Sequence, residues 1–134
     1  MLKVGQKAPD FSLPNQDDKL VALKDFKGSK VLVWFFTKAS TGGCTREGIG
    51  FNDLYKIYQK LNISIIVISK DSIKAQKIFC NKNEFNFDIL SDTELITIKK
   101  YKIIDTIISR SNKSKPTYAN FDFRFYQKFL IARL

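Results

Sequence analysis

Val31-Leu32-Val33-Trp34-Phe35-Phe36-Thr37-Lys38-Ala39-Ser40-Thr41-Gly42-Gly43-Cys44-Thr45-Arg46-Glu47 is the stretch that decides the architecture. Its first six residues are β-formers with no polar break, the signature of a strand buried on both faces. Thr37 to Gly43 is small and polar and reads as a turn. Beyond it, Gly48 to Leu61 places Phe51, Leu54, Tyr55, Ile57, Tyr58 and Leu61 at helical spacing. The stretch is therefore a strand, a tight turn and a helix, with Cys44 at the junction.

Further along, Ile63 to Ile68 is a second continuous apolar run and a second buried strand. Asp71 or Ser72 can cap a helix running to about Lys82. Phe87-Asp88-Ile89-Leu90 is a short third strand, and Asp92 or Thr93 caps a helix ending near Tyr101. Strands alternating with helices predict an α/β layered domain with some parallel pairing. Residues 1–28 read as a loop-rich lead-in with Pro9, Pro14 and a turn at Asn15-Gln16-Asp17-Asp18. At the other end, Ser109 to Lys115 is a polar loop. From Phe121 to Leu134, aromatic, basic and aliphatic residues mix with neither period dominant. The 134 residues suffice for one domain with one sizeable core, expected to span 1–134.

Composition narrows the chemistry. Net charge is +10, from 23 basic and 13 acidic residues, yet Lys is scattered and no nucleic-acid motif is present, so no nucleic-acid partner is expected. There is no histidine, which removes Ser-His-Asp triads, Cys-His pairs and most zinc sites. Two cysteines cannot build a four-ligand zinc site without carboxylates, and neither a metal nor a cofactor is expected. Met1 to Gln6 lacks an apolar signal core, and the longest apolar runs fall far short of the roughly 20 residues a membrane helix needs. The expectation is a cytoplasmic protein without a membrane partner, whose two thiols stay reduced.

Cys44 needs activation without imidazole. The thiolate is the nucleophilic form, and a helix N-terminus favours it through unpaired N–H donors and the positive dipole end. Arg46 adds positive charge nearby. Gly42-Gly43 lets backbone N–H groups approach the reacting atom, and Thr41 supplies a hydroxyl for sulfur and substrate oxygen. The same residues also read as an inert buried cysteine beside ordinary turn residues.

Thr37 to Glu47 resembles the active-site segment of the peroxiredoxins, in which Thr or Ser stands three residues before the reactive cysteine. The Q-type branch, also called bacterioferritin comigratory proteins, is the most similar. Gly5-Gln6-Lys7-Ala8-Pro9-Asp10-Phe11-Ser12-Leu13-Pro14 is similar to the family's N-terminal signature. Leu23 to Gly28, Gly50 to Tyr55, Ile68 to Ser72 and Leu90-Ser91-Asp92 resemble further segments. The resemblance covers about 4–103, with 104–134 a divergent tail. It implies a thioredoxin-like fold, a central mixed sheet flanked by helices. It also implies a thiol-dependent peroxidase reducing hydrogen peroxide and organic hydroperoxides through a sulfenic acid on Cys44, with Thr41 orienting thiolate and peroxide. Thioredoxin or a similar dithiol would recycle it, and the protein would be a monomer or weak dimer.

Four positions depart from the family pattern. Thr37 stands where the family has Pro, and Ile49 where a resolving cysteine is common. Gly42 replaces a frequent Pro or Val. The family's core-strand Arg has its nearest remnant at Lys115, in Lys115-Pro116-Thr117-Tyr118, with Arg110 and Arg124 as other candidates. Some Q-type members carry the resolving cysteine on the helix after the second strand, and Cys80 holds that place here. Cys80 also reads as a small buried hydrophobe on an amphipathic helix. The alternative overall reading is a catalytically impaired relative, acting as a binding module or an unstable fragment.

Overall fold

The computed structural model describes residues 7–36, 39, 42–101 and 128–133. Along the chain these form β1 (Ser12–Pro14), β2 (Leu20–Ala22), a 3-10 turn at Leu23–Phe26, β3 (Lys30–Phe35), α1 (Gly42–Lys60) and β4 (Ile63–Ser69). After them come α2 (Ile73–Asn83), β5 (Asp88–Ser91), α3 (Ile96–Lys100) and β6 (Lys128–Arg133). Four strands make one sheet in the order β5-β4-β3-β6. The β3–β4 and β4–β5 pairs are parallel and β3–β6 is antiparallel, so the expected central mixed sheet is present.

The alternation along β3 divides the core. Val31, Val33 and Phe35 pack with Ile66, Ile68 and Leu90 on one face, under Phe11, Val21, Leu23, Ile98 and Tyr101. Leu32, Trp34 and Phe36 pack with Ile65, Val67 and Ile89 on the other, beneath Phe51, Tyr55 and Tyr58 of α1 and Phe79 and Cys80 of α2. Register explains the match: Val33 faces Ile66, Trp34 faces Val67, and Val67 faces Ile89. Residues opposite one another in a ladder share a face. Helices α1 and α2 therefore cover one side, while the N-terminal hairpin and α3 cover the other.

Three expectations are refined. The lead-in is a β1–β2 hairpin, antiparallel with Leu13 opposite Val21. Its strands are three residues long, too short to display a period. The tail contributes β6, with Leu130 opposite Val33 and Phe129 opposite Trp34; that pairing is a long-range fact which local periodicity cannot carry. Finally, α1 starts at Gly42, so Cys44 lies inside its first turn.

The hairpin turn also seals an edge. Asn15 is buried, and its Oδ1 accepts from Asp17 N at 2.9 Å and Lys19 N at 3.0 Å. Its Nδ2 donates to Asp88 at 3.0 Å. Ile89 N, on edge strand β5, donates to Gln16 Oε1 at 2.9 Å. An unpaired strand edge invites intermolecular pairing, and here two side chains of the turn occupy it.

This packing can be tested on both faces of the sheet. A Cβ on Gly48 would lie 2.6 Å from Phe85 Cζ. The Phe85 ring cannot swing away, because it stacks on Phe87 at 4.9 Å and meets Phe79 edge-on at 5.2 Å. Gly48→Ala should therefore destabilise by about 1–3 kcal/mol, although Gly→Ala in a helix ordinarily gains about 1 kcal/mol. Phe85→Leu in the same chain should recover part of that loss in urea unfolding, and an unchanged midpoint in Gly48→Ala would contradict the contact. On the opposite face Tyr101 is buried, donates to Pro9 O at 2.8 Å, and has its phenol pushed up to about 12 by burial and then by Asp10. The neutral phenol is thus favoured in the folded state. That contribution is complete below the ordinary tyrosine value of about 10 and is lost as pH rises toward about 12. Tyr101→Phe should flatten that part of the fall in stability above pH ~10, measured by denaturant titration at stepped pH.

Candidate active site

The site is built at the carboxyl ends of the parallel strands. Phe36 N still donates to Ile68 O at 3.3 Å, extending the sheet one residue past β3. The chain then turns through Ala39 into α1, where Cys44 is the third helical residue. The first N–H groups of a helix have no intrahelical partner, and its dipole favours an anion there. The first turn of α1 carries no acidic residue, and Arg46 is exposed just beyond it. Burial pushes the Glu47 carboxyl up from its ordinary value, which weakens the one negative charge close to the cysteine in sequence.

The connection into α1 is held from β4. Ala39 N donates to Asp71 Oδ2 at 2.7 Å, and Ser69 Oγ donates to the same oxygen at 2.8 Å. Gln76 Nε2 donates to Ser69 Oγ at 3.0 Å and to Leu90 O at 3.0 Å, with Ser69 and Gln76 wholly buried. Capping of α2 falls to Ser72, whose Oγ accepts from Ala75 N. Asp71, an alternative cap by sequence, instead serves the β3–α1 connection. The sequence signal was the Ser69-Lys70-Asp71 spacing, which builds a side-chain-to-backbone turn where Asp71 N donates to Ser69 Oγ at 3.2 Å.

Cys80 sits in the last turn of α2, 7% exposed, in the same cluster as Trp34, Phe51 and Phe85. Its Sγ donates to Phe85 O at 3.4 Å. Burial pushes its thiol up from the ordinary value, and Asp17 adds to that, with Lys77 opposing. Phe85 also contacts α1 at Gly48, one helical turn beyond Cys44 and on the same face. One residue thus touches both the helix that carries Cys44 and the thiol of Cys80. Thr41, Thr37, Arg110, Lys115 and Arg124 lie outside the described residues. Among the described residues no group of three or more His, Cys, Asp or Glu side chains could hold a metal ion. No helix there is long and apolar enough to cross a membrane.

The mixed sheet with helices on both faces is the fold of the thioredoxin-fold peroxiredoxins. The AhpC/TSA family model matches residues 4–121, past the 4–103 stretch in which motifs are legible, and the chain belongs to that family. Putative peroxiredoxin bcp of Coxiella burnetii is 39% identical over 103 residues, covering 77% of this chain and 68% of the relative. Peroxiredoxin Bcp of Escherichia coli is 42% identical over 93 residues, covering 69% of this chain and 60% of the relative. Among solved structures, peroxidoxin BcpB from Mycobacterium tuberculosis superposes with a TM-score of 0.73 at 29% identity, covering 76% of this chain and 67% of that one. Peroxiredoxin Q of Xanthomonas campestris gives 0.67 at 29% identity, covering 69% and 59%. The chain spans 60% to 68% of the length of these two curated relatives.

Because Cys80 is buried and its thiol held protonated, native protein should alkylate at Cys80 far more slowly than urea-unfolded protein at the same pH. Site-resolved mass spectrometry after iodoacetamide treatment checks this, and equal native and unfolded rates would contradict the burial.

Proposed function

We propose that the chain is a thiol peroxidase acting on hydrogen peroxide and organic hydroperoxides, with Cys44 as its nucleophile. The observation that carries this reading is the placement of Cys44 in the first turn of α1, directly behind a strand buried on both faces, in a chain of the AhpC/TSA family. The Cys44 thiolate attacks the distal peroxide oxygen and an S–O bond forms. The O–O bond breaks, and water or an alcohol leaves after taking a proton. Sulfur is oxidised to a sulfenic acid while the peroxide is reduced. The free N–H groups of the helix start stabilise charge as the O–O bond stretches, and Thr41 orients thiolate and peroxide.

Cys80 then attacks the Cys44 sulfenic acid. An S–S bond forms and water leaves with the Cys80 proton. A disulfide requires Cα atoms within about 7 Å and an accessible Cys80, so the end of α2 must open. The position of Cys80 supports this reading. It lies three residues from the α2 terminus, where helix opening is least costly. A dithiol of the thioredoxin kind, in a reducing cytoplasm, restores both thiols by exchange. No metal or organic cofactor enters the cycle.

One equivalent of hydrogen peroxide should convert the native chain to a Cys44–Cys80 disulfide within a monomer. In Cys80→Ser the oxidation should stop at a Cys44 sulfenic acid, trapped by dimedone. Cys44→Ser should consume no peroxide while keeping its circular dichroism spectrum. Peroxide consumption surviving in Cys44→Ser would sink the assignment and leave the impaired-relative reading for the natural site.

A further inference from the structure

We propose that Asp71 is a positioning residue for Cys44, acting through the backbone of the β3–α1 connection; this rests on Cys44 being the nucleophile. Backbone N–H groups between a strand and a helix belong to neither ladder and need other partners. Ala39 N finds one in Asp71 Oδ2 at 2.7 Å, at the short end for N–H···O and typical of a bond to a charged acceptor. Ala39 lies three residues before the start of α1, so its position sets where the helix begins and where Cys44 stands.

The Asp71 carboxylate is itself fixed from three elements. Ser69, the last residue of β4, donates its hydroxyl to the same oxygen at 2.8 Å. Gln76 of α2 donates to Ser69 Oγ and to Leu90 O of β5 at 3.0 Å each. Ser69 and Gln76 are both 0% exposed. A chain of hydrogen bonds, buried at Gln76 and half-buried at Asp71, therefore runs from β5 through α2 and β4 to the loop ahead of the cysteine. Capping of α2 does not account for it, because Ser72 performs that task. Misplacement of a reacting group by about 1 Å can cost as much as ~100-fold in rate, and release of one loop anchor should cost part of that.

Asp71→Ala and Asp71→Asn, made in the full chain, separate the bond from the charge. Both remove the negative charge, and only Asn keeps an acceptor oxygen for Ala39 N. Site-resolved iodoacetamide kinetics would read Cys44 in each, with Cys80 in the same digest reporting global opening, and peroxide consumption measured in parallel. Asp71→Ala should slow both Cys44 reactions about tenfold with Cys80 still protected. Asp71→Asn should react as fast as the natural protein or faster, and amide exchange at Ala39 should accelerate only in Asp71→Ala. An unchanged Cys44 rate in Asp71→Ala, an Asn variant as slow as the Ala variant, or Cys80 becoming reactive alongside Cys44 would each overturn the proposal. A natural protein that consumes no peroxide would overturn the peroxidase reading alone, since alkylation still reports where Cys44 stands.

Discussion

Val31 through Phe36 are screened from water on both faces of the sheet, and none is more than 6% exposed. Each side chain on this run belongs to one of two clusters, so the strand is where both halves of the core meet. Burying a large apolar side chain is worth about 1.5–3 kcal/mol, and β3 shares this burial on both faces with its parallel neighbour β4. The rigidity this gives β3 is passed on to the segment after it. The connection through Ala39 and the first turn of α1 start from a fixed point, which the proposed role of Cys44 requires.

Electrostatics in this protein works without its usual titrating partner. No imidazole exists to take or give a proton, and the charged residues nearest Cys44 in sequence are Arg46 and a Glu47 whose carboxyl is pushed toward its neutral form. The second thiol lies in the core. Cys80 is enclosed by aromatic rings and held protonated, with its S–H spent on Phe85 O. The two cysteines thus stand in different settings, Cys44 in the first turn of α1 and Cys80 in the aromatic cluster beneath α2. Phe85 joins the two environments by meeting Gly48 with its ring and Cys80 with its carbonyl.

The strands at 31–36, 63–68 and 87–90 were legible in the sequence because buried parallel strands need unbroken apolar runs, and the helices between them because they carry one apolar face. The position of Cys44 near the start of a helix was legible because a strand-turn-helix junction leaves its mark in residue size. Three of the features that escaped are long-range. Nothing near Asp71 announces that Ala39 N is its partner. Nothing near Gly48 announces that Phe85 will press against it. The alignment of β6 with β3 is decided by an edge created far earlier in the chain. The hairpin escaped for a different reason: three-residue strands show no period, and their hold on the sheet is through the side chains of Asn15 and Gln16.

The position of β6 also bears on how the chain is born. Strand β3 is made early, and its β6-side edge is completed only when residues 128–133 exist. Synthesis runs from the N-terminus at about 5–20 residues per second, so a growing chain carries a strongly apolar strand half-paired for several seconds. Pairing partners distant in sequence also slow folding, because loop closure precedes the gain from contact. During that interval the open edge of β3 is the point most exposed to association with other chains. Dependence on a chaperone should then be concentrated in the interval before β6 emerges.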